Sequence, residues 1–334
     1  MEKEKLKYES LNTLKGLACI GVVLMHCGFP GLFGKIITYC FRFDVPIFFM
    51  ISGFFLFSID KNIISKKIKK QIRKIAKMMI FCFVFYGFID LIVKCYIDFN
   101  IPIEKWITNV FNISDLPRKL LFGTFFNGTL WYLYALIWSY ILLFFYFNYS
   151  KNSKLIISII FLFIFHIVTR IFVKYHNYDW YFANYWRSCF LFGIPFIMLG
   201  FIIAKYMNIF IKIKNNTLII AAIFGLIFQF IEYFLYKQAL DFYFGTILYS
   251  LSLFIFAIKY PFTKFNIIIN HIGEKLSMYI YIIHIAIIFS LSHLYSFFDV
   301  SPYLKPILAV LASILVSQLY FFLKMKLVSG SNYY

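Results

Sequence analysis

A lysine and a histidine, Lys15 and His26, stand eleven positions apart in the first apolar stretch of the chain. On an α-helix, eleven steps of about 100° return to almost the same face, and a rise of about 1.5 Å per residue separates the two groups by roughly 16 Å. The spacing predicts a cation near one membrane surface and an imidazole deep within the span. Because ionisable groups are costly in hydrocarbon, they indicate function. The same spacing would also result from a structural pair, in which the lysine extends to the membrane surface and the histidine forms hydrogen bonds inside the helix bundle.

Arg42 and Asp44 stand at the start of the second apolar stretch. Since residues two positions apart do not face each other on a helix, each needs a partner elsewhere. An Asp44 carboxylate beside His26 would fix the tautomer of the imidazole and raise its basicity. Asp44 would serve equally to neutralise Arg42 or Arg187 at the outer surface, and the residues leave both roles open.

A basic stretch over residues 66–77 leads into the third apolar segment. Within it, Lys70 and Arg73 are i,i+3 neighbours and therefore share a helical face. Two cations on one face suit a polyanionic ligand such as phosphates. Topology signalling or the binding of anionic lipid explains such a stretch equally well.

Composition places the chain in a membrane. Its 334 residues are 62% hydrophobic and only 14% charged, which is far more apolar than a soluble domain. The net charge of +19 does not indicate a nucleic-acid partner, because most basic residues stand in short loops between apolar runs, as in cytoplasmic anchoring. The six cysteines form no C-x-x-C pair, so the sequence predicts neither a metal site nor a disulfide framework.

Ten apolar segments predict an all-α membrane bundle of about ten transmembrane helices, with a retained first helix rather than a cleaved signal peptide. If successive loops lie on alternate sides of the membrane, 21 Lys and Arg residues lie on the same side as the N-terminus and 9 lie on the opposite side. Because basic residues are enriched in cytoplasmic loops, both termini are expected in the cytoplasm. In the second segment Pro46 predicts a bend, whereas Ser52 and Gly53 allow close packing. The segments cover residues 11–29, 36–58, 76–97, 122–147, 155–173, 186–204, 217–236, 242–258, 276–295 and 303–323.

Further polar residues interrupt the later apolar segments, among them Arg170, Glu232, His271 and His284. A lone histidine within a bundle is more often a packing residue that forms hydrogen bonds than a catalyst, and His284 is interpreted in that way first. The outer loop 174–185 is rich in aromatic residues, which suit either an interfacial belt or stacking on a sugar.

The order of these motifs resembles that of the acyltransferase-3 family of integral membrane acyltransferases, which modify bacterial surface glycans among other acceptors. Single motifs are unspecific, but six occur in the family's order along nearly the whole chain. They are the basic-x10-His motif at Lys15 and His26, the second-helix motif at Asp44, Phe48–Phe49 and Ser52–Phe54, the R-x-x-R position at Lys70 and Arg73, the segment Leu130–Leu133, the segment Gly193–Gly200, and Ile272–Ser277 with Tyr279 and His284.

This resemblance implies a fold and a reaction. A single integral membrane domain over residues 1–334 would transfer an acyl group, expected to be acetyl, from coenzyme A to a hydroxyl of a cell-surface or lipid-linked carbohydrate. His26 would act as general base or carry the acyl group, with Asp44 orienting it. Lys15, Lys70 and Arg73 would hold the phosphates of acetyl-CoA, which is a donor substrate and not a permanently bound cofactor. The substrate is further expected to meet Arg42, Trp131, Arg187 and His284.

Two departures from the family pattern concern the substrates. Lys70 stands where the family has arginine, and lysine lacks the bidentate fork for phosphate, although its point charge can still serve. The chain is also expected to lack the soluble domain with which some members handle the acceptor. A glycan, a lipid-linked sugar and another hydroxyl compound therefore all stay open as acceptors.

A transporter is the alternative function. Similar membrane domains are fused to serine racemases in vancomycin-resistance proteins, where they are held to take up serine, and residues 15–20 and 27–31 resemble that subgroup. A transporter needs no coenzyme A and would tolerate the loss of Lys70 and Arg73, whereas the enzyme would not. In either case the expected location is the bacterial plasma membrane, which the chain crosses several times in contact with the lipid bilayer.

Overall fold

A computed structural model describes residues 8–97, 101–126, 128–149, 163–164, 168, 187–236, 243–262 and 267–330. Over these residues the backbone is mostly helical and contains no β-strand, which confirms the all-α fold class. The predicted span 155–173, with Arg170, and the predicted outer loop 174–185 lie outside the described residues, apart from three positions of the span.

The α-helices of the described chain are numbered in order. The first group comprises α1 Glu9–His26, α2 Gly31–Cys40, α3 Asp44–Leu56, α4 Lys61–Ile92, α5 Ile103–Val110, α6 Leu116–Phe122 and α7 Trp131–Tyr149. The second group comprises α8 Ile194–Lys205, α9 Met207–Phe210, α10 Asn215–Tyr236, α11 Phe244–Lys259, α12 Ile267–His271, α13 Ser277–Leu294 and α14 Leu304–Gly330. Short π-helical turns extend α4, precede α8 and join α12 to α13, at Val93–Ile97, Cys189–Gly193 and Ile272–Leu276.

Helical segments in the described chain that are long and apolar enough to cross a membrane confirm a multi-pass membrane protein. They are Gly31–Leu56, Lys61–Tyr96, Gly128–Asn148, Asn215–Leu235, Ile267–Leu294 and Leu304–Lys326. Each matches one of the predicted spans.

The remaining predicted spans differ from these long helices. Cys189–Lys205 and Phe244–Lys259 are shorter apolar helices, which match the predictions 186–204 and 242–258. The predicted span 11–29 is helix α1, which contains Glu9 and Lys15 and is not among the long apolar segments. The total of ten spans and the cytoplasmic location of both termini stay predictions.

The first of two compact units comprises Met1–Phe48 and Tyr206–Tyr334. In this unit α1 packs against α12, α13, α14 and the π-helical turn. Gly16 and Gly273 let the backbones approach closely, because a Cβ at Gly16 would overlap the Ile269 carbonyl oxygen and one at Gly273 would overlap that of Asn12. The apolar side chains buried around this contact are Cys19, Val23, Ile272, Leu276, Ile280 and Ala309.

Helix α1 ends at His26 because the following residues cannot continue a helix. Pro30 lacks the backbone N–H and disfavours helical geometry in the residue before it. Gly31 has φ of 67°, a left-handed conformation that favours glycine. His26 is therefore the last residue of α1 and is exposed, and its depth within the membrane span stays a prediction.

The second predicted span, 36–58, is also interrupted. Helix α2 ends at Cys40, and α3 begins at Asp44, whose carboxylate accepts a hydrogen bond of 2.6 Å from the Val45 backbone N–H. Pro46 lies in the first turn of α3, where its missing N–H costs no helical hydrogen bond. Pro46 therefore does not interrupt α3, and the chain turns just before it, at residues 41–43.

The second compact unit comprises Phe49–Lys205, and in it α3 packs closely against α8. A Cβ at Gly53 would overlap the Ile197 carbonyl oxygen, and one at Gly200 would overlap that of Met50. These contacts confirm the close packing that the small residues of α3 predict.

Polar side chains stabilise the C-terminal half of α3 and its end. The Lys67 ammonium donates hydrogen bonds of 2.9 and 2.8 Å to the carbonyl oxygens of Phe55 and Phe57. Carbonyl oxygens at the C-terminal end of a helix have no partner within the helix, so Lys67 satisfies them. The Ser52 hydroxyl hydrogen-bonds with that of Tyr132 on α7. One of the eight lysine and arginine residues at 61–77 therefore has a structural role at this helix end.

Glu232 and Gln229, two buried polar residues of α10, bind the start of α11. The Glu232 carboxylate accepts hydrogen bonds of 3.0 Å from the backbone N–H groups of both Phe244 and Gly245. Gln229 accepts one of 2.8 Å from the Thr246 hydroxyl. Because a helix start presents unsatisfied N–H groups and a positive partial charge, a carboxylate is stabilising there.

Candidate functional site

His26 and His284 lie side by side in the first unit. Their ring centroids are 5.3 Å apart, and the planes of the rings are tilted by 43°. Helix α1 supplies His26 as its exposed last residue, and α13 supplies His284 near its middle, where the side chain is completely buried. The two residues are far apart in the sequence, so no local motif indicates that they meet.

Hydrogen bonds within α13 determine the tautomer of His284. Its Nδ1 lies 2.8 Å from the Tyr281 carbonyl oxygen and 3.1 Å from that of Ile280. Because a carbonyl oxygen only accepts, Nδ1 carries the proton of the neutral ring and Nε2 carries the lone pair. Nε2 is buried and has no hydrogen-bond partner among the residues that the structure describes. His284 therefore presents a proton-accepting nitrogen in a ring that lies against His26.

The interpretation of His284 as a packing residue is confirmed in part. Its bonds to the Ile280 and Tyr281 carbonyl oxygens are those of a structural histidine. The ring of His284 also contacts that of His26, and the motif at 279–284 alone does not indicate this contact.

Lys15 and His26 lie on one uninterrupted helix, as their spacing predicts. A rise of about 1.5 Å per residue separates them by roughly 16 Å along α1. Between them, the Cys19 thiol lies within electrostatic range of both Lys15 and Asp44. The Asp44 carboxylate is therefore within electrostatic range of a residue of α1, and its pairing with His26 stays a prediction.

Arg42 is buried just before α3, with 7% of its surface exposed. Its guanidinium lies within electrostatic range of the Tyr39 hydroxyl. The Tyr39 ring in turn contacts those of Tyr233 and Tyr243, with centroids 4.9 and 5.8 Å apart. Arg42 thus stands beside an aromatic cluster of the first unit.

Lys70 and Arg73 lie on α4 in the second unit. This helix begins at Lys61, well before the predicted start at 76, so the two residues are i,i+3 neighbours on a formed helix. Both side chains are exposed. The opposite face of α4 is buried through Ile64, Ile68 and Ile75. This amphipathic pattern leaves the two cations on a face that a ligand or lipid can reach.

Trp131 and Arg187 meet in the second unit, although the sequence indicates no pairing between them. The guanidinium of Arg187 lies 6.0 Å from the centroid of the Trp131 ring, a cation–π contact. Phe192 packs edge-on against the same ring at 5.5 Å. Trp131 begins α7, and Arg187 closely precedes the π-helical turn before α8.

Comparison with known proteins identifies the family. A family model described as an acyltransferase domain, that of the acyltransferase-3 family, matches residues 8–322, which is nearly the whole chain. The chain belongs to this family, as its motifs predict. A comparison with curated proteins and one with solved structures each found no match. Fold and family together define a multi-pass membrane acyltransferase, and they do not favour the transporter alternative.

Proposed function

We propose that the protein transfers an acetyl group from acetyl-CoA to a hydroxyl of a cell-surface or lipid-linked carbohydrate in the bacterial plasma membrane. Acyl transfer is the activity of the family, and the donor, the acceptor and the catalytic base are the added proposal. The observation that supports it is the His26–His284 pair. The His26 imidazole is exposed, so a substrate can reach it, and its ring contacts the buried imidazole of His284.

His26 is the proposed general base. It removes the proton of the acceptor hydroxyl while the hydroxyl oxygen bonds to the acyl carbon and the C–S bond of the thioester breaks. Protonated His26 then returns that proton to the departing thiolate, so the products are the acylated acceptor and free coenzyme A. A route through an acyl-histidine divides the same exchange into two steps.

His284 is the proposed positioning residue. Its Nδ1 is tied to two backbone carbonyl oxygens, so the ring is held in one orientation. A fixed ring against His26 limits the orientations of the base, and correct orientation accounts for a large share of enzymatic rate enhancement. Asp44 is the proposed second orienter, supported by its burial at 1% exposure and its position near α1.

Lys70 and Arg73 are proposed to bind the phosphates of the donor. Their exposed, neighbouring cations suit several phosphate groups, and Arg73 supplies a bidentate fork. Within the first unit, Lys15 is proposed as a phosphate contact because its helix also carries His26, and the pantetheine arm would cover the distance of roughly 16 Å between Lys15 and His26. Contacts with the substrates are further proposed for Arg42 and for the Trp131–Arg187 pair.

Binding and turnover of radiolabelled acetyl-CoA by purified protein test this proposal. We expect His26→Ala to bind acetyl-CoA with an affinity close to that of the wild type but to lower kcat by about 10²–10⁴-fold, which is the contribution of a general base. Arg73→Ala should weaken binding by about tenfold, because a charge-assisted phosphate contact is lost. Lys61→Ala is the matched control, because Lys61 is an exposed lysine of α4 that lies nine positions before Lys70 and on the other side of the helix, and this variant should bind as the wild type does.

Two results would contradict the proposal in different ways. If the wild type does not interact with acetyl-CoA, the donor is wrong. If Arg73→Ala and Lys61→Ala weaken binding equally, the basic residues of α4 act as a diffuse charge, as in anionic lipid binding, and not as a phosphate site.

A further inference from the structure

A cavity in the first unit is lined by residues that closely follow His26 on one segment and His284 on another. Its volume is about 340 Å³, within the range of small-molecule pockets. Cys27, which follows His26, lines it at the end of α1. Ile288, one helical turn after His284, lines it on α13.

The wall that α13 contributes lies on the same face as His284. Ile288, Leu291, Ser292 and Tyr295 line the cavity and follow His284 by four, seven, eight and eleven positions. This is the spacing of one face of an α-helix. A molecule in the cavity would therefore sit along the line of side chains that leads to the histidine pair.

The charge of the cavity is positive. Lys305, at the start of α14, lines it and places its ammonium 5.4 Å from the centroid of the Tyr295 ring. Among the lining residues that the structure describes, none is Asp or Glu. Since these residues supply no carboxylate, an anionic group on a ligand would find electrostatic complementarity there.

A hydroxyl group of the wall complements those of a ligand. The residue that supplies it is Ser292, whereas the Tyr295 hydroxyl is buried and is not exposed to the cavity. Ser292 donates its proton to the Phe289 carbonyl oxygen at 2.7 Å, which leaves its own oxygen as an acceptor. Ile288 and Leu291 provide apolar surface, which suits the C–H groups of a sugar ring.

We infer that this cavity binds the acceptor, and that the acceptor is a hydroxylated compound with a negative charge, such as a sugar that carries a carboxylate or a phosphate. Lys305 binds the anion, Ser292 binds a hydroxyl group, and a further hydroxyl extends towards His26 to be acylated. The acylation rests on the proposed function, whereas the selection of an anion does not.

The reactivity of Cys27 tests the anion site without any acyl donor. A variant in which Cys27 is the only cysteine is placed in phosphatidylcholine nanodiscs. It is labelled with anionic sulfonatoethyl or cationic trimethylammonioethyl methanethiosulfonate, and the ratio of the two rates is normalised to that of a free thiol. We expect this anion-to-cation ratio to fall by about tenfold in Lys305→Gln, to reverse in Lys305→Glu and to be retained in Lys305→Arg.

Protection experiments with the same protein identify the class of ligand. Methyl glucuronide and glucose phosphate should slow the labelling of Cys27, whereas methyl glucoside, which is neutral, should slow it much less. A variant with Cys40 as its only cysteine is the control, since Cys40 does not line the cavity, and its labelling should respond to neither sugar nor Lys305. If only phosphatidylglycerol in the nanodisc slows the labelling of Cys27, the cavity holds a lipid headgroup and the inference is overturned.

Transfer of label from acetyl-CoA to the same sugars separates this inference from the proposed function. We expect a higher kcat/KM for methyl glucuronide than for methyl glucoside, and a fall of that preference by about tenfold in Lys305→Gln. Equal use of both sugars, with no effect of Lys305, would overturn the anionic acceptor and leave the acyltransferase intact. Selective protection of Cys27 without any turnover of acetyl-CoA would support the anion site and contradict the proposed function.

Discussion

At the scale of single residues, the two histidines of the site differ in what surrounds them. His26 ends a helix and is exposed, so it can meet a substrate and exchange a proton with it. His284 is completely buried, and its Nδ1 is committed to backbone carbonyl oxygens. The first environment suits a base and the second suits a residue that orients the base.

Replacement of His284 tests the positioning role. His284→Phe keeps a ring against His26 but removes both nitrogens, and we expect kcat to fall by about 10²-fold while KM for acetyl-CoA changes little. His284→Gln keeps an acceptor atom near the position of Nε2 and should recover part of the loss. Steady-state kinetics on both variants measure the difference. Equal activity of His284→Phe and the wild type would show that His284 only packs.

At the scale of secondary structure, glycine contacts determine how closely helices approach. Gly16 and Gly273 bring α1 against the segment that leads into α13, and therefore help to set the distance between His26 and His284. In the second unit, Gly53 and Gly200 allow α3 and α8 to approach each other closely. Small residues are common at such interfaces because packing, and not hydrophobic burial, drives association of helices in lipid.

Addition of one methyl group tests the contact of α1. Gly273→Ala would place a Cβ against the Asn12 carbonyl oxygen, and overpacking of this kind costs about 1–3 kcal/mol. Thermal unfolding in detergent should therefore begin at a lower temperature. Gly128→Ala is the control, since a Cβ there meets nothing within 4 Å. A Gly273→Ala variant as stable as the control would show that the backbones are not in contact.

At the scale of the whole molecule, the distribution of basic residues sets the expected orientation in the membrane. The ratio of 21 to 9 basic residues between the two sides favours cytoplasmic termini. With this orientation α1 runs outward, so Lys15 lies nearer the cytoplasm, where coenzyme A occurs, and His26 lies nearer the outer side. The proposed donor and acceptor would then approach His26 from opposite sides.

Cysteine labelling in intact cells measures this orientation. In a cysteine-free background, Ser301→Cys, between α13 and α14, should react with a membrane-impermeant maleimide in intact cells. Lys212→Cys, between α9 and α10, should react only after permeabilisation. Both positions are exposed, so a difference between them reports the side of the membrane. The opposite pattern would place the termini outside.

Local features of the chain were predictable from the sequence. Long apolar runs and helical spacing predicted the all-α membrane fold, the common helix of Lys15 and His26, and the shared face of Lys70 and Arg73, because each depends only on residues within a few turns. The motifs predicted the family in the same way. Pro30 and Gly31 also indicate locally that α1 ends near His26, whereas the predicted span extends to residue 29.

Contacts between distant segments were decided only by the tertiary structure. The pairing of His26 with His284, the contact of Trp131 with Arg187 and the cavity at Lys305 all require particular helices to be neighbours in a particular register. Apolar helix surfaces of similar composition can pack in many registers, so the pattern of apolar residues does not choose among them. The choice is made by close contacts such as that of Gly16 with the Ile269 carbonyl oxygen, which exist only once the helices have packed.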